Sequence, residues 1–274
     1  MKLEEVRPGH CYGRAQRLLA EVGLVRDELG RGEDHRPAFA ASDVPPRACY
    51  FAALAVWNQT DRLAAEVGVG GGRIVVAPAP AAAIMPGHVL EVIHGVLARV
   101  EEIKVRLGVV ERVPEPALEL EREPADVLAT LVKVSRQLAL LLERPFAPGD
   151  VFTVVALAST YATRIGGTAE SQPFERRKQP RHCYARLLAC HNLAAERLRA
   201  RGDKVMTLRG VPSDVVPGDC YDLAHLVLCE VVYLHAITGV AAPVGAFEAG
   251  ATGHRLPAHV DQLARTLEIQ LQHV

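Results

Sequence analysis

The chain has 274 residues, of which 49% are hydrophobic and 23% charged, and a formal net charge of −1. That length and apolar content suffice for one large or two medium domains with a sizeable core. The even charge balance argues against nucleic acid or an anionic membrane as the partner.

The first residues, Met1 to Arg7, contain no apolar stretch of the kind a secretory leader needs. The uncharged run Ile74–Met85 carries two prolines and is too short to span a bilayer. None of the six cysteines belongs to a Cys-x-x-Cys pair, so zinc-ribbon and thioredoxin-type chemistry are not indicated. The expectation is a cytoplasmic protein with reduced thiols, or an exported one if a leader has been removed.

The predicted elements follow one motif, Pro-x-x-(Cys/Val)-(Tyr/Leu/Phe). It opens a helix at Pro8 and recurs at Pro46, Pro86, Pro124, Pro148, Pro180 and Pro217, with a weaker copy at Pro257 that has Asp261 in the aromatic slot. Proline suits the first helical position because its missing N–H would be an orphan there. The second residue after the proline is His10, His88, Asp126, Asp150, His182, Asp219 or His259 in seven copies. Aspartate there suits the positive end of the helix dipole, whereas histidine has no evident advantage. A stop glycine follows at Gly30, Gly68, Gly108, Gly202 and Gly239, and one turn earlier at Gly166 in the fifth copy. Glycine is favoured there because it tolerates a left-handed φ.

Counted from each proline, positions +3, +7, +10 and +14 are apolar in nearly every copy, as in Val89, Ile93, Val96 and Val100. Alternating steps of four and three make a heptad seam. The +4 residues, such as Tyr12, Tyr50, Tyr184 and Tyr221, add a second column, the pattern of a helix inside a bundle. Off the seam, Arg99, Glu101 and Cys229 are expected at the surface.

The eight copies divide four and four. Pro46 corresponds to Pro180, Pro86 to Pro217 and Pro124 to Pro257. The predicted fold is therefore all-α, with two tandem four-helix bundle-like repeats from an internal duplication, residues 1–146 and 147–274, packed together. The linkers within each half are long, mostly 13 to 17 residues between stop glycine and next proline. Tight antiparallel connections need fewer than about eight, so neighbouring helices have enough chain to run parallel. The β-branched runs at 73–76 and 204–207 are candidate short strands.

Three sets of residues are candidates for chemistry. Glu91 and His94 on the third helix, and Asp222 and His225 on the seventh, form carboxylate-x-x-His pairs, a spacing that puts both ligands on one helix face, as in di-iron bundles. They occupy +5 and +8, away from the seam, so a solvated face is the expected reading and a metal site the alternative. The cysteines Cys11, Cys49, Cys183 and Cys220 occupy +3, where other copies have valine, and Cys190 occupies +10. Core packing is expected for them, against the alternative of thiols activated at helix starts. Trp57 and His191 share position +11, each followed by asparagine, Asn58 and Asn192. Packing is the expected reading, and a small-ligand pocket the alternative. Gly68-Val69-Gly70-Gly71-Gly72 lacks the Lys-Ser/Thr of a phosphate loop.

The sequence thus points to a non-enzymatic scaffold or sensor-like binding module. Its partner would be a protein or a small ligand, with no cofactor, no nucleic acid and no membrane span, and a homo-oligomer is compatible. The runner-up is a metal- or redox-binding bundle.

Overall fold

The computed structural model describes residues 2–36, 40–70, 81–143, 146–209, 212–238 and 255–274. Among them the chain is mostly helical, with eight α-helices. These are α1 (Pro8–Glu28), α2 (Pro46–Glu66), α3 (Pro86–Leu107), α4 (Pro124–Leu141), α5 (Pro148–Arg164), α6 (Pro180–Ala200), α7 (Pro217–Ile237) and α8 (Pro257–Gln272). Two three-residue strands lie in linkers, β1 (Ala40–Ser42) and β2 (Thr207–Arg209). The chain divides into two compact units, Met1–Pro145 and Phe146–Val274.

In the first unit α1 and α2 each pack against both α3 and α4, so α1 stands diagonally opposite α2. In the second unit α5 and α6 each pack against both α7 and α8. All seam residues at +3, +7, +10 and +14 are buried in all eight helices. The one polar member, Thr60, donates its hydroxyl to the Val56 carbonyl at 2.9 Å, which satisfies it inside the core.

Contacts between neighbours fix the direction of the helices. Cys11 of α1 reaches the Pro86 carbonyl of α3, and thirteen residues into α1 Glu21 meets Lys104, far along α3. Cys49 reaches the Pro124 carbonyl at the start of α4, and Gln59 meets Ser135 further along both helices. In the second unit Cys183 meets Pro257, Cys190 meets Ala264 and Arg197 meets the Gln272 carbonyl, in step along α6 and α8. Cys220 joins the start of α7 to Pro180 of α6, and Ser159 and Thr163 of α5 meet Gln270 late in α8. Within each unit the helices therefore run parallel, all starting at one end. Each linker must return the full height of a helix, which for 21 residues is ~31 Å. The linkers are long enough, since extended chain covers ~3.3 Å per residue or more.

Parallel helices put their positive dipole ends together, and the helix starts are built to tolerate it. At seven of them the third helical residue accepts a hydrogen bond from the backbone N–H of the residue before the proline. The acceptor is Nδ1 of His10, His88, His182 and His259, and a carboxylate oxygen of Asp126, Asp150 and Asp219, at 2.8 to 3.0 Å. This is half of a capping box, and it corrects the expectation that histidine contributes nothing there. An unprotonated Nδ1 does the same work as a carboxylate oxygen. The exception explains itself, because α2 is preceded by Pro45, which has no N–H to cap, and carries Ala48 at that position. At the other end Gly30, Gly68, Gly108, Gly166 and Gly202 adopt left-handed φ of 60° to 101°. Arg31, Val69, Val109, Gly167 and Asp203 then donate back to the carbonyls of Arg26, Ala64, Lys104, Ala162 and Leu198, closing Schellman motifs. Gly239 and the run 73–76 lie outside the described residues, and of the run 204–207 only Thr207 enters a strand.

Two of the off-seam residues expected at the surface are buried. Arg99 is buried, with its guanidinium held by Asp61 at 3.1 Å and Glu102 at 2.5 Å. Cys229 is buried as well, because Asp219 to Val232 of α7 are buried without a break. Leu223, Leu226, Leu228 and Val232 make that helix apolar beyond its seam, and a helix apolar all round belongs inside a fold. By length and composition α7 would also suit a membrane span, but 83% of the qualifying window is buried within the protein.

Replacing His88 by alanine should remove a cap and cost about 1 kcal/mol, whereas His88→Asp should retain the stability. Urea unfolding of the three proteins checks this, and equal losses for both variants would contradict the capping role.

Candidate functional site

The helix starts of the first unit converge on its axis. Pro8, Cys11, Pro46, Cys49, Pro86, Val89, Pro124 and Val127 line a small recess that opens to solvent. Its walls are proline rings, valines and two thiols, so it offers apolar contact and no charge. The thiols are already engaged, Cys11 and Cys49 each donating to a proline carbonyl of the neighbouring helix at 3.2 Å. Cys183 and Cys220 do the same in the second unit at 3.2 and 3.3 Å. A thiol at +3 is therefore a small core residue that also donates weakly.

All six cysteines are free and buried. Burial pushes the Cys11 and Cys183 thiols up to about 12, and raises Cys49, Cys190 and Cys220 further in the same direction. Activation by the helix starts loses to desolvation here, because the side chains point into the bundle axis rather than toward water.

The two carboxylate-x-x-His pairs occupy unlike surroundings. Glu91 and His94 are exposed on α3. Asp222 and His225 are buried on α7, which corrects the expectation of a solvated face for that pair. The cause is again the apolar flank of α7. His225 has its Nδ1 3.0 Å from the Tyr221 carbonyl and its ring edge-on to the Tyr221 ring, which in turn stacks on Phe146. Burial lowers its imidazole to about 4, so it is neutral at physiological pH. Among the described residues no three His, Cys, Asp or Glu side chains gather closely enough to hold a metal ion.

Trp57 is buried, and its ring lies directly on Gly95 of α3. A Cβ at Gly95 would come within 2.9 Å of the indole. Position +9 is therefore glycine opposite tryptophan in the first unit. The corresponding positions of the second unit hold Leu226 and the smaller His191, both buried. The size exchange between halves reads as volume-conserving packing. Asn58 is partly exposed beside Trp57, and Asn192 is exposed beside His191.

The residues that sequence reasoning missed lie in the linkers. The linker 108–123 runs back along α1 from its end to its start. Lys104, buried with Glu21 in an ion pair of 2.6 Å, also donates to the Glu111 carbonyl, and Val113 N donates to Glu21. Glu115 then meets Arg14 and Arg17 at 2.6 and 3.0 Å. Finally Glu119 and Leu120 lie so close on Gly9 that any Cβ there would collide with their backbone. The linker 165–179 runs back along α8 in the same manner. Its Gln172 carbonyl accepts from Gln262, and Lys178 and Glu175 pair with Asp261 and Arg265. The readable signals were Gly9 just inside α1, and Asp261 where the other copies hold an aromatic residue or leucine.

The paired positions make a double exchange informative. Gly95→Leu alone should overpack the α2–α3 contact and cost about 1–3 kcal/mol. Trp57→His alone should leave a cavity costing about 3 kcal/mol. The double variant should recover at least ~1 kcal/mol of the summed loss. Strictly additive losses in denaturant unfolding would contradict direct packing of this pair.

Comparison of the chain with protein-family models, with curated proteins and with solved structures returns no match.

Proposed function

We propose that the chain is a tandem repeat of a parallel four-helix module, produced by internal duplication, and that it acts without chemistry of its own. Its role on this reading is that of a scaffold or sensor-like binding module for a protein or small ligand. The duplication is supported by the residue after each starting proline, which is Gly9, Arg47, Gly87 and Ala125 in one half and Gly149, Arg181, Gly218 and Ala258 in the other. The same order of helix neighbours in both units supports it further. So does the thiol-to-carbonyl bond from the second helix to the start of the fourth, Cys49 to Pro124 in one unit and Cys183 to Pro257 in the other.

The observation that carries the non-enzymatic reading is the composition of the seam. Buried in every helix, the residues at +3, +7, +10 and +14 include no His, Asp or Glu. Sites in helical bundles draw catalytic and metal-binding side chains from such inward positions. The buried charges Glu21, Lys104 and Asp261 are instead engaged in holding linkers. A cytoplasmic location fits six unbridged thiols, and the near-neutral charge fits a partner other than nucleic acid or membrane.

Metal analysis of untagged protein after dialysis tests this reading. The expected result is no stoichiometric transition metal. One equivalent of iron, zinc or manganese, lost in a His94→Ala, His225→Ala double variant, would move the assignment to a metalloprotein using Glu91, His94, Asp222 and His225.

A further inference from the structure

Eight large hydrophobic side chains are exposed among the described residues, and four of them lie in two small patches. The first patch is at the starting end of the first unit. There the linker backbone at Glu119 and Leu120 is pressed onto Gly9, and Arg122 lies over the Tyr12 ring at 4.6 Å. Pinned this way, the strap turns Leu118 and Leu120 outward, 55% and 45% exposed. Glu121 and Glu123 beside them are exposed and in no ion pair among the described residues.

The second patch is at the starting end of the second unit. Phe174 leans on the His259 ring at 4.8 Å yet stays 41% exposed, and Leu256, whose N–H bonds to His259, is 46% exposed. Glu175 and Lys178 are engaged in ion pairs with Arg265 and Asp261 of α8. The residues between them, Arg176 and Arg177, are therefore turned to solvent, and Arg177 takes a left-handed φ of 65°. With Arg181 they make three exposed arginines in no ion pair among the described residues.

One patch is thus aliphatic and acidic, the other aromatic and basic, and both stand open in the same molecule. The geometry points to a second copy of this chain as the occupant: the Leu118/Leu120 strap of one molecule docks on the Phe174/Leu256 patch of another. Glu121 and Glu123 then face Arg176, Arg177 and Arg181. Complementary charge around an apolar centre sets orientation and suppresses wrong pairings. Because the two surfaces differ, the contact is heterologous and propagates head to tail, closing into a ring or continuing as a filament. The inference does not depend on the scaffold reading, since an enzyme or a metalloprotein could assemble in the same way.

Sedimentation velocity over a concentration series tests it. Wild-type protein should associate reversibly at low salt and dissociate at high salt, as exposed ion pairs are screened. R176E/R177E/R181E alone and E121R/E123R alone should each associate at least about tenfold more weakly. All five positions are exposed, and unchanged circular dichroism would show that each variant is folded. Mixing the two variants, or combining all five changes in one chain, should restore association. The proposal is overturned if the wild type stays monomeric throughout, if either reversal leaves association unchanged, or if neither the mixture nor the combined variant recovers it.

Discussion

Four helices that begin at the same end can be joined only by chain that travels back along the whole bundle. That requirement accounts for most of what distinguishes this protein. It explains linkers too long for hairpins, in units whose first and second helices stand on a diagonal. The returning chain crosses the start of α1 closely, which is why Gly9 has no room for a side chain; at Gly87 the N-terminal residue Leu3 fills the same place. It also gathers positive dipole ends at one end, answered by caps at the third helical residue, and negative ends at the other, answered by basic residues such as Arg26, Lys104, Arg164 and Arg197 in last turns.

The straps are fixed by charge as much as by packing. Lys104 and Glu21 are almost wholly buried, and removing both from water costs several kcal/mol before their attraction offsets it. Such a pair adds little net stability. Breaking it by removing one partner would be far more damaging than replacing both, because the survivor would be an uncompensated buried charge. The pair sits where α1, α3 and the strap meet, so it specifies one path for the returning chain. Asp261 has the corresponding role on α8, where Lys178 and Arg265 reach it from strap and helix.

Helix starts, the buried seam and the stop glycines were legible in the residues because each depends on local chemistry. Direction was not, since a heptad seam has the same spacing in parallel and antiparallel bundles. Only linker length carried that information, and it permitted both. The capping histidines were hidden because Nδ1 acts as an acceptor only once the backbone N–H is aimed at it. The exception at Pro45 and Ala48 was the available clue. For α7 the error had a different origin. Its seam was read correctly, but the apolar residues beyond the seam, Leu226 and Leu228 among them, were not weighed, so Asp222, His225 and Cys229 were placed in solvent. Arg99 was misplaced because a long charged side chain off the seam was taken as solvated, whereas Asp61 and Glu102 hold it at an inter-helix contact. The pairing of Trp57 with Gly95 could have been found by comparing position +9 of the third and seventh copies.

The parallel run of the helices is read directly by a distance measurement using pulsed electron paramagnetic resonance. Spin labels attached through non-natural residues avoid the buried thiols. Glu28 of α1 and Arg106 of α3 both stand twenty residues after their starting prolines, whereas Glu91 stands near the start of α3. Fifteen helical residues separate Glu91 from Arg106, ~22 Å along the axis. Parallel helices place Glu28 a short distance from Arg106 and clearly farther from Glu91. The reverse order would mean that α1 and α3 run antiparallel, and the explanation of the linkers, caps and glycines would fail with it.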